Sequence, residues 1–142
     1  MSLIRYINTD LDLVSSDPHE ELFADFEDMG CLVHCENDDG GWRSTWETTR
    51  FETPEQTFFE TPEETIQAIL SILDSLPESA RSVWQACHER TFDIGYDCGD
   101  EPWGFQQEIS NMTLARIAAL GATLRVTIYP ERTPLFVPSK AD

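Results

Sequence analysis

The sequence predicts a single α+β domain with helices packed on a mainly antiparallel sheet. Three observations predict it. Apolar residues switch between an alternating and a helical period, in the order β-α-β-β-α-α-β-α-β. The helical stretches open on capping residues and close on glycine or a break, so local chemistry bounds them. The 142 residues, 40% apolar and 11% aromatic, suit one ordinary packed core. The domain is expected to span residues 1–130, with 131–142 as an irregular, proline-bearing tail.

Leu3 to Val14 reads as the first strand. Leu3, Ile7, Leu11 and Leu13 share one parity, while Asn8, Asp10 and Asp12 share the other. Asp17-Pro18-His19-Glu20 is a helix start, with Asp17 as cap and Pro18 at the first position, where no amide donor is needed. Leu22, Phe23, Phe26 and Met29 follow at helical spacing, and Gly30 supplies the stop. Two strands, Cys31–Glu36 and Trp42–Thr49, flank the turn cluster Asn37-Asp38-Asp39-Gly40-Gly41 and predict a hairpin. A short repeat follows, FETPEQTF then FETPEETI. Only its second copy can launch a long helix, because Pro62 interrupts anything begun at Pro54. There Thr61 caps, Pro62 stands first and Glu64 closes a capping box, with Ile66, Ile69, Leu70 and Leu73 as the buried stripe. Ser75-Leu76-Pro77-Glu78 breaks that helix and starts another, with Ala80, Val83, Trp84 and Cys87 inward.

The stretch Thr91–Pro130 is the most informative. Phe92, Ile94, Tyr96 and Cys98 alternate with Asp93, Gly95 and Asp97, the pattern of a half-buried strand. An acidic loop with Gly99 and Pro102 follows. Ser110 caps the next helix, Ile109 and Leu114 are spaced as a hydrophobic staple, and Leu114, Ile117, Ala118 and Leu120 are expected inward. Gly121 ends it, and Leu124, Val126 and Ile128 alternate in a last strand. This succession of aromatic-rich strand, Gly-bearing loop, TLARIAALGA helix and closing strand ending in Tyr129 resembles the bacterial domain-of-unknown-function family 4279. The N-terminal strand and the DPHEELFADF helix are compatible with that family's opening. The resemblance implies a fold and brings no activity, cofactor or catalytic residue.

Charge narrows the functions. Acidic residues number 27 against nine basic ones, a formal charge of −18, and Lys140 is the sole lysine. Direct nucleic-acid binding is disfavoured, since phosphates need cations to replace their counterions, and an anionic membrane surface is disfavoured for the same reason. The first 64 residues hold 17 acids and three bases, and Phe51–Ala80 has no base at all. Such a charge serves solubility in the first place, and a single-sign field is also a candidate for steering basic partners. The opening MSLIRYINTDLDL lacks a basic region followed by a long apolar run, so a cytoplasmic protein with reduced thiols is expected.

No familiar catalytic motif is present: the chain has no G-x-G-x-x-G, P-loop, G-x-S-x-G or H-E-x-x-H. Cys31 and Cys35 lie four residues apart on a predicted strand, about 13 Å, too far to share one tetrahedral zinc. Cys87 and Cys98 are expected to be small buried hydrophobes, and no cofactor or metal is predicted. Asp97, Asp100 and Glu101 gather beside Gly99, Pro102 and Trp103, with Asp93 on the same strand's polar face. Ordinary solvated turn residues would look the same, and so would Asp38 and Asp39 in the hairpin turn. An aromatic anchor in an acidic rim nevertheless suits a basic protein. The sequence therefore predicts a protein-binding module with a basic partner, for example a toxin-neutralising immunity-type protein. Its candidate contact residues are Asp97, Asp100, Glu101, Trp103, Asp38 and Asp39. The alternatives are a ligand- or ion-dependent enzyme using Asp93, Asp97, Asp100 and Glu101, and a domain with only a structural role.

Overall fold

Five strands form one mixed sheet, in a computed structural model that describes residues 2–19, 22, 31–38, 41–48 and 60–130. The strands are β1 (Arg5–Ser15), β2 (Cys31–Asp38), β3 (Gly41–Thr48), β4 (Glu89–Asp97) and β5 (Thr123–Tyr129). Their order across the sheet is β2-β3-β1-β4-β5. Pairings are antiparallel except β4–β5, which is parallel. A parallel neighbour needs a crossover, and residues 98–122 provide it. Three helices are described: α1 (Pro62–Asp74), α2 (Glu78–Ala86) and α3 (Asn111–Ala119). The chain is thus an α+β domain, and the predicted element order largely holds.

The expected helix at 17–30 falls mostly outside the described residues, although Leu22 is fully buried. The first FETPE copy, Asp39 and the tail 131–142 also lie outside them. β2 continues two residues beyond the predicted strand, and Asp38 pairs with Gly41.

The core joins one face of the sheet to the helices. Leu11, Leu13, Trp46, Phe92 and Ile94 meet Ile66, Ile69, Leu70 and Leu73 of α1, Ala80 and Trp84 of α2, and Ile117 of α3. Each large side chain buried this way contributes about 1.5–3 kcal/mol relative to exposure. The helix signals work as predicted at α1. Thr61 Oγ1 accepts from the Glu64 amide at 3.3 Å, while the Glu64 carboxylate accepts from the Glu60 amide at 3.0 Å, one residue before the cap. Ser110 caps α3 by accepting from the Thr113 amide at 3.1 Å, and Gly121 follows in the left-handed region at φ 71°.

Glu63 ties α1 to α3. Its carboxylate accepts from the Ser110 amide (2.9 Å), the Ser110 hydroxyl (3.1 Å) and the buried Thr113 hydroxyl (2.6 Å). One anion thus sits in the first turn of α1 and at the N-terminus of α3, where both helix dipoles favour it. Slight burial works against the charged form. The hydrogen bonds from Thr113, Ser110 and Gln67 prevail and hold the carboxyl below its usual range.

The first strand departs from its simple alternation. Tyr6 pairs with Tyr96, but Asn8 pairs with Gly95, so Ile7 is an extra residue at a bulge. The bulge exchanges parities. Leu11 and Leu13 are buried as expected, whereas Ile7 is 41% exposed and Leu3 58% exposed. Tyr6 turns inward in their place. Its hydroxyl lies 2.8 Å from that of Thr9 and 2.7 Å from that of Thr65, which donates to the Thr61 carbonyl at 3.2 Å. The polar Thr9 and Thr65, fully buried, are thereby satisfied.

His19, which the sequence places in a helix start, is buried. Its Nδ1 lies 2.6 Å from Ser15 Oγ and its Nε2 2.7 Å from Ser44 Oγ, which also accepts from the Trp46 indole at 2.7 Å. The network joins β1, β3 and the segment after β1, and it keeps buried polar atoms paired.

Candidate functional site

The acidic loop begins where β4 ends, and the N-terminal residues hold it in place. The Ile4 amide donates to the Glu101 carbonyl at 2.8 Å. The Asp100 and Glu101 amides donate to the Ser2 carbonyl at 3.1 and 3.2 Å, and the Ser2 amide donates to Asp100 Oδ1 at 3.0 Å. Glycine is required at 99: a Cβ there would stand 2.5 Å from the Leu3 carbonyl carbon and 2.7 Å from the Ile4 nitrogen. This stitching spends Asp100 Oδ1 and the Glu101 backbone on structure. Trp103 stands beyond it, 100% exposed.

Behind the loop is an open apolar groove of about 680 Å³, floored by Ile4, Tyr96, Phe105, Val126 and Ile128 and edged by Asp97 and Glu108. Phe105 packs edge-on against Tyr96 at 5.7 Å, and the Tyr6 ring lies tilted to Tyr96 at 5.8 Å. Burial, with a smaller effect from Tyr6, pushes the Tyr96 phenol up. Along β5, Leu124 is partly buried against the core, whereas Val126 and Ile128 line the groove. Val126 and Ile128, expected to be buried by their alternation, are 56% and 64% exposed. Leu114, expected inward, is exposed as well. Cys98, just past the end of β4, is also exposed, contrary to its expected burial. Cys87 is buried as expected; burial lifts its thiol to about 11, partly opposed by Arg90.

The structure brings Asp97, Asp100, Glu101 and Trp103 into one region, at the end of β4. It does not bring Asp38 there. Asp38 belongs to the edge strand β2, and its partner Gly41 leads into the end of β3 that pairs with Ser15. Asp97 pairs with Arg5, at the opposite end of β1. Asp93 is also apart, four residues and about 13 Å up the strand from Asp97. Its carboxylate accepts from Arg125 Nη1 at 3.2 Å and the Thr127 hydroxyl at 2.7 Å.

Arg125 anchors a second polar assembly, on the sheet face away from α1. Its guanidinium also reaches Asp12 at 3.1 Å and Glu89 at 3.4 Å. Burial disfavours its charge, but Asp93 and Asp12 prevail and raise its pKa. Asp10 lies beside this network, opposite Glu47 on β3 and Asp93 on β4. Burial first, then repulsion from Glu47, Asp12 and Asp93, pushes its carboxyl up to about 7. Nothing in the alternation of β1 distinguishes Asp10 from Asp12; the difference comes from the register, which sets Glu47 and Asp93 opposite Asp10 but Thr45 and Thr91 opposite Asp12.

Among the described residues, no three His, Cys, Asp or Glu side chains converge in a way that could hold a metal ion. No described helix is long and apolar enough to cross a membrane. Compared with known proteins, the chain matches no family model, no curated protein and no solved structure.

Proposed function

We propose that this protein acts by binding a partner protein that presents a basic surface, with the loop 97–103 and the adjoining groove as the docking region. The observation that carries the reading is Trp103. A fully exposed tryptophan stands on a pinned loop, two residues before Phe105, which lines an apolar groove edged by Asp97 and Glu108. A large aromatic beside a concave apolar surface, with carboxylates around it, is the composition of an interface centre and rim. The formal charge of −18 supplies long-range attraction for a basic partner and speeds its encounter. A toxin-neutralising immunity-type protein of the cytoplasm, with a basic nuclease-like target, is the concrete version we put forward. The resemblance to domain-of-unknown-function family 4279 belongs to the same proposal and adds no site.

The test is capture of partners on immobilised protein at low and high salt, with Trp103→Ala and Asp100→Asn/Glu101→Gln as comparisons. A partner that is released by salt and weakened by both variants is expected. Retention that ignores salt and survives both variants would defeat the reading.

A further inference from the structure

The outermost strand beside the groove has an unusual edge. β5 ends the sheet and pairs only with β4 among the described residues. The Cys98 amide donates to the Tyr129 carbonyl at 2.9 Å, and this sets the phase of the ladder. In a parallel pair, a residue's N–H and C=O point to the same side, and the side alternates along the strand. Tyr129, Thr127 and Arg125 therefore direct their backbone groups to β4. Leu124, Val126 and Ile128 direct theirs outward from the edge.

Protein edges are usually blunted by lysine, proline or bulges. β5 reads TLRVTIY and pairs in unbroken register from Thr91–Thr123 to Asp97–Tyr129. Its one cation, Arg125, is engaged by Asp12, Asp93 and Glu89 on the opposite face. The outward backbone donors and acceptors thus belong to the same residues, Val126 and Ile128, whose side chains line the groove.

We infer that the β5 edge accepts an extended segment of the partner as a sixth strand. Its apolar side chains, at alternate positions, lie against Val126 and Ile128, and its cations meet Asp97 and Glu108. This rests on the proposed binding to a basic partner and specifies its mode. Main-chain hydrogen bonds give strand addition its affinity, and alternate side-chain pockets give it selectivity. Charge decides the occupant: a second copy would bring another −18 to the same edge, whereas a basic segment meets complementary carboxylates.

The probe is a synthetic decapeptide alternating Val and Lys, titrated by fluorescence polarisation into the full-length protein, with amide hydrogen exchange read in parallel. The expected result is salt-sensitive binding in which the Val126 and Ile128 amides slow by about tenfold or more, as new ladder hydrogen bonds would require. Val126→Pro should weaken binding about tenfold without unfolding the sheet, because the amide it removes points away from β4. Should that variant fail to fold, Val126→Lys serves instead, placing a cation on the edge to repel the probe. Binding that is weakened by Asp97→Asn/Glu108→Gln, yet indifferent to the edge variants and without new protection, overturns strand addition and leaves the partner reading intact. Protection of both amides in the free protein also overturns it, since the edge would already be occupied. Absence of any salt-sensitive binding overturns both.

Discussion

Replacing Asp10 by Asn should stabilise this protein at neutral pH and do nothing in acid. Burial and the neighbours Glu47, Asp12 and Asp93 lift the folded-state pKa of Asp10 from 3.8 to about 7. Between those values the folded chain retains a proton that the unfolded chain releases. Stability contributed by this site therefore falls as pH rises from about 4 to about 7, and the full penalty persists above that. Three units correspond to an upper limit of about 4 kcal/mol, at about 1.4 kcal/mol per unit. Asp10 is only partly buried, and solvent screening reduces the gain to about 1–2 kcal/mol. With an unfolding entropy of about 2 cal/mol/K per residue, the midpoint should rise by about 3–7 °C. Thermal unfolding of both proteins, followed by circular dichroism near pH 8 and again near pH 4, measures it, and the two curves should coincide within about 0.5 kcal/mol at the acid end. An equal shift at both pH values, or a loss of stability at the higher one, would refute the electrostatic account of this face.

Other substitutions test the remaining joints. Glu63→Gln should cost about 1 kcal/mol, because the amide turns a donor toward the hydroxyls and amide that Glu63 accepts from. Its folded pKa is lowered, so the wild-type increment is present above the unfolded value of 4.5 and lost as pH falls through the folded one. Urea unfolding along a pH series should show the two proteins converging in acid. Tyr6→Phe removes the hydroxyl between Thr9 and Thr65 and should cost about 1–2 kcal/mol in the same assay. Gly99→Ala forces the Leu3–Ile4 backbone away and should cost about 1–3 kcal/mol. It should also speed exchange of the Ile4 and Glu101 amides, so unchanged exchange there would count against the pinned loop.

Much of the helical structure was legible in the sequence because its signals are local. Thr61-Pro62-Glu63-Glu64 and Ser110 carry their own amide acceptors, and Gly121 tolerates the left-handed backbone that ends α3. The buried stripe Ile66, Ile69, Leu70 and Leu73 follows from spacing alone. The strands were harder, since alternation states which residues share a face and not what covers it. Val126 and Ile128 have a buried strand's pattern yet are exposed, and Ile7 sits at a bulge that single-sequence periodicity does not mark.

The candidate site divides in the same way. The sequence by itself determined the acidic loop, the tryptophan within it, the glycine at 99 and the net charge that favours a basic partner. Those are properties of adjacent residues and of composition. Only the tertiary structure decided that residues 2–4 clamp that loop, that Asp38 lies at the far end of the sheet, and that Asp10 lies against Glu47 and Asp93. It also decided that β5 is an edge with its backbone groups turned outward beside a groove. These depend on which strands become neighbours, a choice made by packing between residues tens of positions apart and therefore written in no single stretch of the chain.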